Sequence, residues 1–316
     1  MQLPGIIFSN PDEIVVFLLI ALLLDAIFGE PRWLWSRLNH PAVLMGTAIG
    51  WADVRYNRGQ HKRLKGVMVL IILCVLAGSF GMIVSNLPDF GIFQVLIAAI
   101  FLAQKSLTEH VSDVAHALRL STGEGRLMVS RIVARDTKGM DDSAAARSAI
   151  ESAAENLSDG VVAPAFWFLL LGLPGLLVYK MTNTADSMIG YMSPKYRQFG
   201  WAAARFDDVL NWIPARLTAL LILVTNRRIR EWKIVFRDAP LHRSPNAGWP
   251  EAAMAVSLGI ALSGPRSYDG RMTDFPFVHD EGRHNLTADD IQAATCSLWR
   301  VWWALVAILM SLAVIV

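Results

Sequence analysis

Three stretches of this 316-residue chain, residues 67–87, 161–179 and 298–316, are apolar for long enough to cross a bilayer, which takes roughly 17–25 residues of helix. A chain that enters lipid must satisfy its backbone polar groups internally, so it folds as helices or as a closed barrel. Continuous apolar runs of this length select helices. Hydrophobic residues make up 54% of the chain and charged residues only 18%, too apolar for an ordinary soluble domain. The expected fold class is therefore all-α, a polytopic membrane protein treated as a single domain over residues 1–316. Shorter apolar runs at residues 14–28, 90–103 and 212–225 add further helices. The run at 90–103 follows a "LPDFG" turn and is placed to make a hairpin with its predecessor. Residues 252–263 read as a buried or interfacial helix.

Basic residues assign the sides. Arg32, Arg37, Arg55, Arg58, Lys62, Arg63 and Lys65 lie between the first two runs, and Arg227, Arg228, Arg230, Lys233 and Arg237 follow Thr225. The positive-inside rule puts both sets in the cytoplasm. Residues 105–160 carry charges of both signs at helical spacing and read as a soluble helical insert, and residues 226–297 as a second cytoplasmic segment. A net charge of +2 argues against a nucleic-acid partner. Asp12 and Glu13 precede the first apolar run, which reads as a retained segment and not a signal peptide. Cys74 and Cys296 are far apart and read as small core residues.

The run at 161–179 is interrupted by "GLPG" (Gly172, Pro174, Gly175). Broken helices at membrane depth are tolerated where they are buried in protein or line a cavity. The segment either crosses once or is re-entrant, and the re-entrant reading is preferred because it keeps the polar flanks on both sides of it in the cytoplasm. Trp212–Thr225, short and carrying Arg216, can be re-entrant in the same way.

Those flanks hold the candidate chemistry. Glu151, Glu155 and Asp159 recur at i, i+4, i+8, one face of a helix if the helix continues that far, with Asn156 beside them. A solvated face is the plain alternative, but like charges so spaced repel unless a cation or basic groups compensate them. In "YKMTNTADSMIGY", Asn183 and Asp186 are hard oxygen donors suited to Mg²⁺ with its waters and a phosphate, and Lys180 suits a phosphate as a point charge. In "WAAARFDDVLNWIPAR", Asp207 and Asn211 are spaced i, i+4, with Arg205, Asp208 and Arg216 nearby. Ionisable groups at a membrane segment are costly and mark function by default, although Arg216 can also snorkel to the headgroups. In "HRSPNAGWPEAAMA", Glu251 opens a helix where an acid suits the dipole, which leaves Asn246 and Trp249 unexplained. No phosphate-binding P-loop, nucleophile elbow, H-E-x-x-H or zinc-spaced cysteine pair occurs. His40, His242 and His284 read as isolated hydrogen-bonding residues.

Taken together, "GEPRWLW…NHP", "RDTKGMD", "ESAAENLSDGVVAPAFW", "YKMTNTADSMIGY", "YRQFGWAAARFDDVLNWIPAR" and "SPNAGWPEAAMA" resemble the CobD/CbiB family of cobalamin biosynthesis, the adenosylcobinamide-phosphate synthases. The resemblance covers most of the chain in the family's order. One departure is "HPAVLMG", which lacks the basic residue that the family tends to carry shortly after His-Pro.

The resemblance implies a multi-pass enzyme of the inner (cytoplasmic) membrane with its active site on the cytoplasmic face. It implies ATP-dependent amide formation between the propionate carboxylate of adenosylcobyric acid, a corrinoid, and an aminoalkyl phosphate such as aminopropanol phosphate. Mg²⁺ and ATP are then the expected cofactor and co-substrate, lipid the surroundings, and a homo-oligomer is left open. Glu151, Glu155 and Asp159, or Asn183 and Asp186, are expected in the Mg²⁺-phosphate shell. Arg135, Lys180 and Arg205 are expected to face phosphate, and Asp207 or Asp208 to act as general base. Asn156, Asn211, Arg216, Asn246, Trp249 and Glu251 complete the expected substrate-binding set. Two other classes stay open: a non-catalytic membrane sensor of the AmpE type, and a Mg²⁺-dependent prenyltransferase, whose usual paired aspartate motifs are not evident.

Overall fold

The computed structural model describes residues 11–133, 135–268 and 271–315. Helix α1 spans Pro11–Phe28, and a single turn, α2, spans Arg32–Trp35. Helix α3 (Pro41–Tyr56) starts at His40, whose Nδ1 accepts the Ala42 amide at 3.1 Å and so satisfies one of the amides a helix start leaves open. Helices α4 (Lys62–Ser85), α5 (Ile92–Phe101), α6 (Gln104–Leu120) and α7 (Thr122–Val129) follow. Helix α8 (Asp142–Leu157) is capped by the Asp141 side chain on the Ala144 amide at 2.7 Å. A π-helical turn, Ser158–Val162, leads into α9 (Ala163–Ile189). Then come α10 (Trp201–Leu210), α11 (Trp212–Thr225), α12 (Trp232–Asp238) and α13 (Gly248–Leu258). Two short antiparallel pairs, β1 (Leu262–Ser263) with β4 (Phe277–Val278) and β2 (Arg266–Tyr268) with β3 (Arg271–Thr273), precede the final helix α14 (Ala288–Ile315).

The protein is an all-α membrane protein. Among the described residues, four helical stretches are long and apolar enough to cross a bilayer: Lys62–Ser85, Ile92–Leu120, Asp142–Ile189 and Ala288–Ile315. Three carry all or most of the long runs expected from the sequence, within the described residues. The fourth exceeds the expected 90–103 run because α6 follows α5 almost without a break, adding length through amphipathic residues. Residues 252–263 differ from the expected single helix. Gly259 turns to φ 66° and ends α13, and the chain continues as β1, a left-handed helix end that glycine makes at low cost.

The chain forms two compact units. The first comprises residues 1–103, 163–210 and 306–316, and the second 104–162 and 211–305, so the expected insert (105–160) and most of the segment 226–297 fold in the second unit.

In the first unit, α4 packs on α9 through small residues. A side chain at Gly81 would lie 2.7 Å from the Pro174 Cα, and one at Gly78 3.3 Å from Val178 Cγ2. Close backbone approach over small residues is how helices gain contact where lipid removes the hydrophobic drive. The outward side of α4 is bulky and exposed: Met68, Ile71, Ile72, Val75, Leu76, Phe80 and Ile83. The expected break in "GLPG" is present at Gly172, whose φ of 65° and ψ of −159° interrupt α9. Such a conformation is essentially confined to glycine, and Pro174 removes a backbone donor nearby.

In the second unit, the alanine-rich α8 is buried along much of its length, with Ala145, Ala146, Ala149, Ala153 and Ala154 fully inside. Its thin profile lets α6 and α13 pack closely on it. Val111 and Val114 of α6, Ile222 of α11, Ala252–Val256 of α13 and Ile291 and Leu298 of α14 complete one core.

Candidate functional site

Glu151 sits midway along α8 and points into the core of the second unit, its side chain 2% exposed. A lone carboxylate there would be strongly disfavoured, and three donors compensate it. Arg135 Nη2 lies 2.6 Å from Glu151 Oε2 and Arg266 Nη1 lies 3.4 Å from the same oxygen. The Ser263 amide of β1 donates to Oε1 at 2.6 Å. The two arginines are themselves nearly buried, at 12% and 9% side-chain exposure. Arg135 also donates to Ser148 Oγ at 3.3 Å. Two guanidiniums thus converge on one carboxylate.

A second buried acid faces it. Glu251 lies in the first turn of α13, 2% exposed, and its Oε2 has no hydrogen-bond partner. Burial, then the charges of Glu151 and Glu155, push its carboxyl well above the usual carboxylate range, against the pull of Arg266 and Arg135. The helix dipole read from the sequence is thus outweighed by desolvation. His242 Nε2 is 3.6 Å from Glu251 Oε1. Its other ring nitrogen, Nδ1, accepts the Ser244 amide at 3.1 Å, and burial, then Arg266, lower its pKa to about 4. The neutral ring therefore carries its proton on Nε2, aimed at Glu251. Gly248 permits this approach: a side chain there would collide with the Ala239 carbonyl and lie 2.7 Å from His242 Cβ.

The loop that carries His242 is pinned by Arg216 of α11. Its Nη1 donates to Trp212 O at 2.7 Å and to Asn246 Oδ1 at 3.2 Å. Its guanidinium lies over Trp212 and Trp249, 4.4 and 4.5 Å from the ring centroids, a cation–π arrangement. Arg216, Asn246 and Trp249 thus form one fastening beside Glu251. Asn211 is buried at the start of α11. Glu155 and Asn156 are exposed on α8, and Asn156 donates to Ser152 O at 2.8 Å. Asp159 lies beyond the end of α8, in the π-helical turn. The wider turn shifts the helical phase, so the i, i+4, i+8 row is not one α-helical face.

The remaining sequence candidates lie in the first unit. Lys180, Asn183 and Asp186 follow one another on α9, and Arg205, Asp207 and Asp208 on α10. Asn183 Nδ2 donates to the buried Asp207 Oδ1 at 3.3 Å. Arg205 pairs with Asp208 at 3.3 Å on the exposed side. Asp186 holds the end of α9, its carbonyl accepting the Gly190 amide at 2.7 Å. The Lys180 charge reaches His40, whose pKa is lowered chiefly by burial.

No group of three or more His, Cys, Asp or Glu side chains among the described residues is arranged to hold a metal ion. Sequence reasoning missed Arg266, Ser263 and the place of His242. Arg266 and Ser263 meet Glu151 across more than a hundred residues of chain, and no local pattern announces that contact. His242 did lie in a segment already singled out, two residues before the Ser244 amide that fixes its ring.

An all-α membrane protein with a buried, charge-rich polar cluster in a compact helical unit defines the class. The family model described as "CobD/Cbib protein" matches residues 18–298, and the chain belongs to that family. It is 50% identical over 299 residues to "Cobalamin biosynthesis protein CobD" of Rhizobium meliloti (strain 1021), covering 89% of this chain and 91% of that protein. It is 48% identical to the protein of the same name from Brucella suis biovar 1, covering 90% and 92%. The Rhodobacter capsulatus protein of that name is 43% identical, covering 83% and 86%. No solved structure matches.

Proposed function

We propose that this protein is an enzyme of cobalamin biosynthesis that joins the propionate carboxylate of adenosylcobyric acid to the amine of an aminoalkyl phosphate, using ATP to activate the carboxylate. Family membership and near full-length identity to proteins named for cobalamin biosynthesis support the pathway. The observation that carries the chemistry is the buried Arg135–Glu151–Arg266 cluster facing Glu251. Paired guanidiniums suit an anionic substrate group, because the fork of arginine matches carboxylate or phosphate oxygens. A water-poor surrounding strengthens that attraction.

Mg²⁺ delivered on a nucleotide fits the residues present. It keeps several waters and phosphate oxygens and needs only one or two protein carboxylates, so a preformed cage of three acids is not required. Either Asn183 and Asp186 of α9 or Glu155 and Asp159 around the end of α8 would supply its oxygen donors. Bound there, the ion would offset the charge of the nucleotide phosphates. Lys180 and Arg205 are proposed to meet the phosphate of the aminoalkyl substrate. The site is proposed to face the cytoplasm, beside the inner membrane.

The test is turnover by the purified protein in detergent or nanodiscs with adenosylcobyric acid, ATP, Mg²⁺ and aminopropanol phosphate. Formation of adenosylcobinamide phosphate, dependent on ATP, is the expected result. Binding of the corrinoid with no product under any nucleotide condition would return the chain to the class of membrane sensors.

A further inference from the structure

We infer that the first unit carries a docking surface for anionic phospholipid headgroups, built where α3 ends, α4 begins and the 190–200 loop returns. The inference is independent of the reaction proposed above. Residues 53–66 and 191–200 hold seven lysines and arginines and a single acid, Asp53. Asp53 is buried and already engaged within the protein. Lys195 Nζ lies 2.8 Å from its Oδ2, and Asn57 Nδ2 donates to its Oδ1 at 2.8 Å. Among the described residues, Lys195 is the member of this basic set that has an ion-pair partner. The basic set after Thr225 in the second unit differs, since Arg228 pairs with Glu231 at 3.3 Å and Arg237 with Asp238 and Glu281.

The three segments are stitched into one surface. Asn57 Nδ2 also donates to Lys195 O at 3.2 Å, and Lys65 Nζ donates to Arg58 O at 2.8 Å. Gly66 approaches Phe199 so closely that a side chain there would collide with the Phe199 carbonyl. Arg63 lies 3.6 Å above the centre of the Trp201 ring. Lys62, Arg63 and Lys65 stand at the start of α4, whose first turn has no acid. They add to the positive end of the helix dipole where an acid would oppose it. Like charges fastened together in this way are offset by an anion from outside.

Position and shape select lipid as that anion. The 24 residues of α4 rise about 36 Å against about 30 Å of hydrocarbon, so the first turn of this membrane-length helix emerges at headgroup level. Trp51, Tyr56 and Trp201 are exposed on the same elements, the aromatic residues favoured at that level. Arg55, Arg58, Arg63, Lys195 and Arg197 are exposed and Lys62 and Lys65 half-buried, spread over three segments as suits a charged sheet of headgroups. Clusters of lysine and arginine beside a spanning helix bind anionic lipid in this way.

A fluorophore on Gln60→Cys, in a background lacking Cys74 and Cys296, reports from the centre of the patch. The full-length protein is placed in phosphatidylcholine nanodiscs doped with phosphatidylglycerol or phosphatidylcholine spin-labelled near the glycerol. Phosphatidylglycerol should quench at a mole fraction lower by about tenfold or more, since each basic residue near an anionic surface contributes about fivefold. Raising NaCl to about 0.5 M should narrow that preference. Joint replacement Arg55→Gln, Arg58→Gln, Lys62→Gln and Arg197→Gln spares the residues that stitch the segments, and should bring the two lipids within about twofold. Arg131→Gln with Lys138→Gln, in the second unit, should leave the preference intact. Millimolar glycerol phosphate, which carries the headgroup charge without the chains, should leave quenching unchanged. Equal quenching of the wild-type protein by both lipids overturns the inference, as does full preference in the fourfold variant. Displacement of phosphatidylglycerol by glycerol phosphate overturns it too, by making the patch a site for small anions.

Discussion

Glu151→Gln isolates what the buried charge cluster contributes. The substitution leaves an oxygen to accept the Ser263 amide but removes the charge that Arg135 and Arg266 share at 2.6 and 3.4 Å. At an effective dielectric near 20, each contact is worth on the order of 4 kcal/mol of attraction. The guanidiniums have already lost most of their water, being 12% and 9% exposed, so the loss is not recovered by rehydration. Breaking such a pair from one side costs about 3–5 kcal/mol, two or more powers of ten in the folding constant.

Unfolding in mixed micelles, followed by tryptophan fluorescence, reads this directly. Arg135→Met in the same background should recover part of the loss, because it removes one of the two stranded cations, and the double mutant should cost less than the sum of the singles. Disrupting the exposed Arg119–Asp289 pair, at 44% and 87% side-chain exposure, should change nothing measurable. A Glu151→Gln protein within about 1 kcal/mol of wild type, or strictly additive singles, would refute the view that this cluster is a coupled buried network.

The depressed pKa of His242, about 4 against 6.5, has a sign that can be checked. The unfolded ring binds a proton first, so stability is full above pH 6.5 and falls as pH drops toward 4, by on the order of 3 kcal/mol; His242→Gln should flatten that slope in acid-unfolding curves. Gly81→Ala should lower the thermal midpoint in detergent by more than Gly78→Ala, since its new methyl meets the Pro174 backbone at 2.7 Å instead of a Val178 methyl at 3.3 Å; overpacking of this kind costs about 1–3 kcal/mol. Lys180→Met or Arg205→Met should raise the KM for aminopropanol phosphate far more than that for ATP, and a rise for ATP alone would reassign the residue to the nucleotide. If 161–179 is re-entrant, single cysteines at Asn156 and Gln198, in a background lacking Cys74 and Cys296, should react with impermeant reagent from the same face. Reaction from opposite faces would show a crossing.

The long helices were legible because an apolar run carries its own length, and the break in α9 because glycine and proline sit together in it. The polar segments were legible as places and not as arrangements. Glu151 and Glu155 read alike in sequence, yet one is buried between two arginines and the other is exposed. That difference is set by which face of α8 meets β1 and the chain around Arg266, a tertiary fact. Asp159 fell out of the row because a π-helical turn, which "SDGVV" does not advertise, intervenes. Glu251 read as a favourable helix start because sequence displays the dipole and hides the burial. Arg216 read as a lipid anchor or a functional group, whereas its partners Trp212, Asn246 and Trp249 lie up to 33 positions away and show it holding a loop.

The glycine side of α4 has a consequence for how substitutions distribute along it. Toward its exposed side, Ile71, Val75 and Phe80 are asked only to be greasy, and many residues satisfy that. Toward α9, Gly78 and Gly81 are defined by what they lack, and every other amino acid is larger. The informational weight of this helix therefore lies in its smallest residues. A saturation library over Lys62–Ser85 should return a tolerant bulky stripe and an intolerant empty one, with the side chains that dominate the helix by mass contributing least to its identity.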